Sequence, residues 1–145
     1  MLQGQIPIEF GMVFPDGAYA AGGIEMVRDF DRSTADRVVQ QADKETGLPL
    51  WVVEVIDAQE NARQRTVKVK IAAQVQPVLP SPAPGQPFTA VEFDGMTATP
   101  YVDSSRCQGN GTRCGARQAY SLKATGVRAP SRGIGRPVPE HKDAA

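Results

Sequence analysis

Basic side chains in one stretch of the sequence have the type and spacing to bind a charged ligand. Arg63 and Arg65 precede residues 66–71, in which Lys68 and Lys70 alternate with apolar residues. Successive residues of an extended strand point to opposite faces, so the two lysines are predicted to share one face. Such a basic face can contact the phosphates of a nucleic acid, and the alternative is an ordinary solvated strand face.

Further basic and aromatic residues extend this candidate surface toward the C-terminal part of the chain. Lys123 lies in a later predicted strand, and Arg113 and Arg117 precede it. Proteins that bind single-stranded nucleic acid combine a basic groove with aromatic faces on which bases stack. Trp51 and Tyr120 are also aromatic, and the alternative interpretation places them in the core. The candidate nucleic-acid-binding residues are Arg63, Arg65, Lys68, Lys70, Tyr101, Arg113, Arg117 and Lys123.

Groups typical of enzymes and metal sites are few. His141 is the only histidine, so the sequence offers no Ser/His/Asp or Cys/His constellation in its predicted domain. Cys107 and Cys114 supply only two of the four ligands that structural zinc takes. A disulfide between them is disfavoured in a reducing cytoplasm, and we expect two free thiols in a flexible loop. The sequence therefore predicts a protein that is not an enzyme and has no cofactor or metal.

Composition and charge are those of a globular domain. The 145 residues include 16 basic and 16 acidic side chains, and 41% are hydrophobic. Residues 1–103 hold 8 basic and 14 acidic side chains, whereas residues 104–145 hold 8 basic and 2 acidic ones. Such asymmetry indicates either a phosphate-binding arm or a solvated basic tail. No apolar run approaches the roughly 20 residues of a membrane span, and no signal peptide is recognisable. We expect a cytoplasmic protein.

Hydrophobic patterning predicts five strands, which must position the candidate residues. They are residues 19–30, 50–56, 66–71, 88–96 and 119–127. The second and third are joined by a polar connection short enough for an antiparallel hairpin, and Gly22 with Gly23 predicts a bulge or a tight bend in the first. Residues 33–42 fit either a helix capped by Ser33 or a turn leading to a short strand at 37–42. We favour the strand because it gives residues 50–56 a neighbour on each side.

Prolines and glycines divide the chain further. Five prolines in residues 74–87 predict a stiff, extended connector without helix or central strand. We expect a flexible loop at 104–116 and a disordered C-terminal tail at 129–145. Three strands, a long crossover and two more strands are the order of an oligonucleotide/oligosaccharide-binding (OB) barrel. The sequence thus predicts one all-β domain over residues 1–128, a small five-stranded OB-like barrel with long loops.

Eight short blocks of sequence, in this order, resemble a known family. They are VFPDGAY (13–19), DFDRST (29–34), DKETGLPLW (43–51), VKVKI (67–71), PF (87–88), VEF (91–93), TPYV (99–102) and AYSLKATG (119–126). Together they are similar to the plasmid replication, integration and excision activator family of actinobacterial integrative and conjugative elements. The resemblance covers about residues 10–128 and implies a regulator of a mobile genetic element, without catalytic residues. The chain departs from the family pattern in an insertion at 107–114 and in a longer tail.

Two functions follow from these observations. The first is regulation of a mobile genetic element through binding to DNA, in particular single-stranded DNA, with replication or excision proteins of the same element as further partners. The alternative is a protein-interaction module that activates a replication or transcription partner without contacting DNA. Phosphate contacts release counterions, so the affinity of the first kind of protein falls steeply with salt. The affinity of the second kind need not.

Overall fold

The computed structural model describes residues 4–105, 107 and 115–131. The fold is nearly all β, as the sequence predicts, and the sheet curls into a half-barrel. Helix α1 (Phe10–Val13) is a single turn. The strands are β1 (Ile6–Pro7), β2 (Ala18–Ala20), β3 (Glu25–Met26), β4 (Leu50–Asp57), β5 (Thr66–Ala72), β6 (Thr89–Asp94), β7 (Thr97–Asp103), β8 (Arg117–Ala124) and β9 (Gly126–Arg128). The predicted number of five strands is wrong, because the described residues form nine.

Strand pairing explains why the sheet curls. The order of neighbouring strands is β1-β7-β8-β5-β4-β2-β6-β9, and β3 pairs with β4 as well. The β5–β8 pair is parallel, and the other pairs are antiparallel. β6 and β7 lie near opposite ends of this order, yet only Gly95 and Met96 separate them in the chain. The sheet therefore has to bend round until these two strands meet.

The first three predicted strands correspond to β2 with β3, to β4 and to β5. β4 and β5 form the predicted antiparallel hairpin, from Leu50 opposite Ala72 to Ile56 opposite Thr66. The predicted first strand is divided between β2 and β3. Ala20 pairs with Val55 and Glu25 pairs with Val52. Between these two pairs, the segment from β2 to β3 advances five residues while β4 advances three. The residues between them form the bulge that Gly22 and Gly23 predict.

The last two predicted strands form one long, bent hairpin. β7 pairs with β8, β6 pairs with β9, and the same register continues across the bend. Gly95 makes the bend with a φ of 57°, a conformation that favours glycine. The sequence did not predict β7, because Gly95 and Pro100 resemble strand breakers. β7 has β1 beside it only at Thr97 and Ala98, and Pro is tolerated along such a sheet edge.

Residues 33–42 form neither the helix nor the regular strand considered above. Gln40 pairs with Arg28 and Ala42 with Pro49, but only as isolated bridges. The favoured strand at 37–42 is therefore wrong in its length. Ser33 accounts for this, since its hydroxyl accepts a hydrogen bond from the Val39 amide at 2.9 Å and holds the segment in a local loop.

The core occupies the inner, concave side of the sheet. Its most deeply buried side chains are Phe14, Ile71, Val53, Val55, Val69 and Val91. Residues 74–87 contain no helix or strand and run along the surface. Two contacts hold this connector in place: Leu79 packs against the core, and the Gln76 side chain donates a hydrogen bond of 2.8 Å to the Ile24 carbonyl.

The two segments expected to be irregular are described only in part. The expected loop at 104–116 is described at 104, 105, 107, 115 and 116. Of the expected tail at 129–145, residues 129–131 are described, and the Ser131 amide donates to Glu92 Oε2 at 2.9 Å, whereas residues 132–145 lie outside the described residues. Cys107 is disulfide-bonded, so the expectation of a free thiol there is wrong. The expectation rested on an assumed reducing compartment, and the chain's other cysteine, Cys114, is outside the described residues.

Within the described part of the chain, no helix has the length and apolarity to cross a membrane.

Candidate nucleic-acid interface

β5 separates its basic and apolar side chains as the sequence predicts. Val69 and Ile71 are fully buried on the inner side of the sheet. Lys68 is exposed and Lys70 is half-buried on the opposite side, which we call the outer face. Neither lysine forms an ion pair with another described residue. Two cations are therefore available for a ligand at this point of the sheet.

The neighbouring strands bring further predicted residues to the outer face. Lys70 pairs with Lys123 across the β5–β8 ladder, and Lys123 pairs with Thr97 across the β8–β7 ladder. Paired residues lie on the same side of a sheet, and alternate residues along a strand return to that side. Tyr101 and Arg117 lie an even number of residues from Thr97 and Lys123. The outer face therefore carries Lys68, Lys70, Tyr101, Arg117 and Lys123.

The remaining predicted residues lie at the margin of this face or beyond the described chain. Arg63 and Arg65 are exposed in the connection between β4 and β5. Arg65 Nη2 donates a hydrogen bond of 3.2 Å to the Glu60 carbonyl, which orients its side chain along this connection. Arg113 is outside the described residues.

Lys123 is already engaged in an ion pair. Its ammonium donates a hydrogen bond of 2.8 Å to Asp43 Oδ1, and the Thr46 hydroxyl donates one of 2.8 Å to Oδ2. The side chain of Asp43 is 6% exposed and that of Lys123 is 17% exposed. Burial raises the pKa of Asp43, but the hydrogen bonds from Lys123 and Thr46 and the attraction of the ammonium hold that pKa below its ordinary 3.8. The structure thus assigns Lys123 to fixing the turn before β4.

Carboxylates also occupy the outer face. Glu54 on β4 lies directly opposite Lys68 on β5. Asp103 Oδ2 lies 3.8 Å from Arg117 Nε at the far end of the β7–β8 hairpin. The outer face is therefore of mixed charge. Among its described basic groups, Lys68 and Lys70 are the two that have no carboxylate within ion-pair distance.

A depression of about 290 Å³ opens on the outer face beside Lys68. The bulge between β2 and β3 forms one wall, and the half-buried side chain of Val52 contributes to its lining. Its lining residues are Ala21, Gly22, Gly23, Glu25, Val52, Glu54 and Lys68. Glu25 and Glu54 could not be found from the sequence pattern, because only the strand register places them beside Lys68.

The three aromatic residues considered as base platforms differ in position. Trp51 packs against the core, and its Nε1 donates a hydrogen bond of 3.0 Å to the Ala73 carbonyl, so it is a structural residue. Tyr101 is on the outer face and 49% exposed. Tyr120 is 56% exposed but lies on the other side of the hairpin, where it pairs with Pro100. Only Tyr101 therefore combines exposure with the lysine-bearing face.

The described residues contain no group of three or more His, Cys, Asp or Glu side chains that could hold a metal ion. Comparison of the whole chain with protein-family models, with curated proteins and with solved structures gives no match. We therefore infer the function from the geometry of the outer face and from the sequence.

Proposed function

We propose that this protein binds single-stranded DNA across its outer face, as a cytoplasmic regulator of replication, integration or excision of a mobile genetic element. The observation that carries the proposal is the pair of unpaired lysines, Lys68 and Lys70, on one strand face. Tyr101 supplies an exposed ring on that face. Lysines contact phosphates, and a ring stacks on any base, which suits a strand bound without fixed sequence. The family resemblance of the sequence supports the link to a mobile element.

The strand pairing also supports an OB-like barrel. Counting β2 with β3, β6 with β7 and β8 with β9 as bent strands, and leaving out the two-residue β1, gives five strands, in the order along the chain that the sequence predicts. The parallel pairing of β5 with β8 then joins the third strand to the fifth. OB barrels bind oligonucleotides on the face of their second and third strands. In this chain those strands are β4 and β5, which carry Glu54, Lys68 and Lys70.

The test is the affinity for a fluorescent single-stranded oligonucleotide, measured by anisotropy at several salt concentrations. The Lys68→Gln/Lys70→Gln variant is expected to bind every sequence more weakly. It should also flatten the plot of log affinity against log salt by about 1.4, since each phosphate contact on a single strand contributes about 0.7. Folding should persist, because neither lysine is part of the core. The variant Arg32→Gln/Arg37→Gln removes the same charge from exposed residues outside β4, β5, β7 and β8, and it should retain the wild-type slope.

One observation favours the alternative, a module that binds a protein partner. Val102 is 70% exposed and lies on the same side of the β7–β8 hairpin as Tyr120 and Pro100. These side chains form an apolar strip that continues beyond the core. If the wild-type protein binds no oligonucleotide even at low salt, the DNA proposal is refuted and this strip becomes the candidate surface. Unchanged binding by the folded Lys68→Gln/Lys70→Gln variant would instead refute the outer face as the site.

A further inference from the structure

We infer that the depression beside Lys68 is a subsite for one unpaired guanine base of the bound strand. This inference rests on the proposed function, since it names the base that the outer face selects. The structure offers two carboxylates and an apolar contact in one small recess, next to a lysine. A single base is an appropriate occupant for a recess of about 290 Å³.

Strand register brings the two carboxylates to the recess. Glu25 on β3 pairs with Val52 on β4, and Glu54 lies two residues further along β4 on the same face. Glu54 pairs in turn with Lys68 on β5. Lys68, which has no ion-pair partner in the described chain, therefore lies beside the recess, where it can contact the phosphate of a nucleotide whose base contacts Glu54.

Gly22 and Gly23, in the bulge between β2 and β3, form part of the wall of the recess. Neither Gly22 nor Gly23 has a positive φ. A Cβ atom built on either glycine would meet no atom within 4 Å. A larger residue would therefore fit the backbone at both positions. The absence of side chains leaves space beside Val52 for a planar group to approach the backbone.

The chemistry of the recess favours guanine over the other bases. An ionised carboxylate only accepts hydrogen bonds, and its two oxygens can accept from two adjacent donors. Guanine presents such a pair, N1–H and the N2 amino group, along one edge. Adenine and cytosine present a single amino group beside an acceptor nitrogen. Thymine presents N3–H between two carbonyl oxygens, which the carboxylates repel. Glu54, with Glu25 beside it, is therefore expected to read guanine, and Val52 to contact the base.

The experiment compares twelve-nucleotide thymidine strands that carry one central dG, dA, dC or deoxyinosine. Anisotropy in a lithium buffer gives the affinity of each strand relative to the all-thymidine strand. The dG strand should bind about tenfold more tightly, since a good two-donor contact discriminates by roughly five- to 150-fold and the recess is open to solvent. Deoxyinosine lacks the N2 amino group, so its strand should bind about two- to tenfold more weakly than the dG strand.

Substitutions identify the groups responsible. Glu54→Gln should reduce the preference for dG about tenfold while all-thymidine binding stays equal or becomes tighter, because a negative charge is removed near the phosphates. Glu45→Gln makes the same change at an exposed residue that does not line the recess, and it should leave the preference intact. Gly23→Val adds a branched side chain at a residue that lines the recess and should weaken the preference, with circular dichroism showing that the variant is folded.

The outcomes separate the two proposals. Binding of all strands with equal affinity overturns the guanine subsite and leaves the DNA proposal standing. A dG preference that survives in folded Glu54→Gln, Glu25→Gln and Gly23→Val also overturns the subsite, because the selectivity then comes from elsewhere. Failure of the wild-type protein to bind any strand at low salt overturns both.

Discussion

The ion pair between Lys123 and Asp43 gives the sharpest prediction about stability. It joins β8 to the turn before β4 across 80 residues of sequence. Lys123→Met removes the cation but keeps most of the side chain, so it leaves Asp43 buried with the Thr46 hydroxyl as its remaining side-chain donor. Removing one partner of a buried pair typically costs about 3–5 kcal/mol. Because the Thr46 hydrogen bond persists and Lys123 is 17% exposed, we expect about 2–3 kcal/mol.

Thermal unfolding measures this loss. A domain of this size loses roughly 2–4 °C in Tm for each kcal/mol, so Lys123→Met should unfold about 5–10 °C below wild type. Asp43→Asn should cost less, because the ammonium of Lys123 can move toward solvent. The double variant should recover part of the loss, with a coupling free energy of about 1–3 kcal/mol. Arg117→Met breaks the longer and more exposed pair with Asp103 and should cost less than about 0.5 kcal/mol.

Two results would refute this reasoning. Equal unfolding temperatures for Lys123→Met and Arg117→Met would show that burial does not strengthen the Lys123–Asp43 pair. Additive effects of Asp43→Asn and Lys123→Met would show that the two side chains do not interact, whatever each contributes alone.

Three further predictions concern pH, a glycine and the disulfide. The pKa of Asp43 is lowered in the folded protein, so its contribution to the free energy of unfolding is complete above about pH 4 and is lost as the pH falls through the lower folded pKa. The stability of Asp43→Asn should therefore fall less steeply with decreasing pH than that of wild type, and identical slopes would contradict this. Gly95→Ala should lower the free energy of unfolding by roughly 1–3 kcal/mol, because residue 95 has a positive φ and the added Cβ would lie 2.5 Å from Thr125 Oγ1. The control Gly11→Ala has open space around its Cβ and should be neutral or stabilising in thermal unfolding. A reductant should lower the Tm by several degrees, since a disulfide contributes about 2–4 kcal/mol, and an unchanged Tm would show that the bond of Cys107 does not stabilise the fold.

Local patterns in the sequence predicted the elements that depend on local physics. Alternation over residues 66–71 predicted β5, its hairpin with β4 and the side of the sheet to which Lys68 points. β7 could not be predicted this way, because Gly95 and Pro100 interrupt the pattern. The structure shows that Gly95 bends the strand without ending it and that Pro100 lies where β7 has few hydrogen-bonding neighbours. Whether a glycine bends or ends a strand depends on its partner strand, which one segment of sequence does not contain.

The same limit applies to the candidate site. The sequence indicated which residues are basic, but not which carboxylates lie beside them. Asp43 and Lys123 are 80 residues apart, and only the parallel pairing of β5 with β8 explains how they meet. Glu54 faces Lys68 through a register that depends on where the hairpin turns. Counting cations alone therefore overstated the positive charge of the outer face.

The mixed charge of the outer face determines what kind of DNA binding this surface can support. Two unpaired lysines correspond to a salt slope of only about 1.4 on a single strand, whereas proteins that make 6–10 phosphate contacts depend on salt far more strongly. Lys68 and Lys70 can thus hold a strand near the sheet but contribute little affinity of their own. The remaining affinity has to come from the bases, through stacking on Tyr101 and contacts in the recess lined by Glu54 and Glu25. Removing both lysines should therefore weaken the binding of all strands alike, while Glu54→Gln should remove the preference for dG and leave all-thymidine binding equal or tighter.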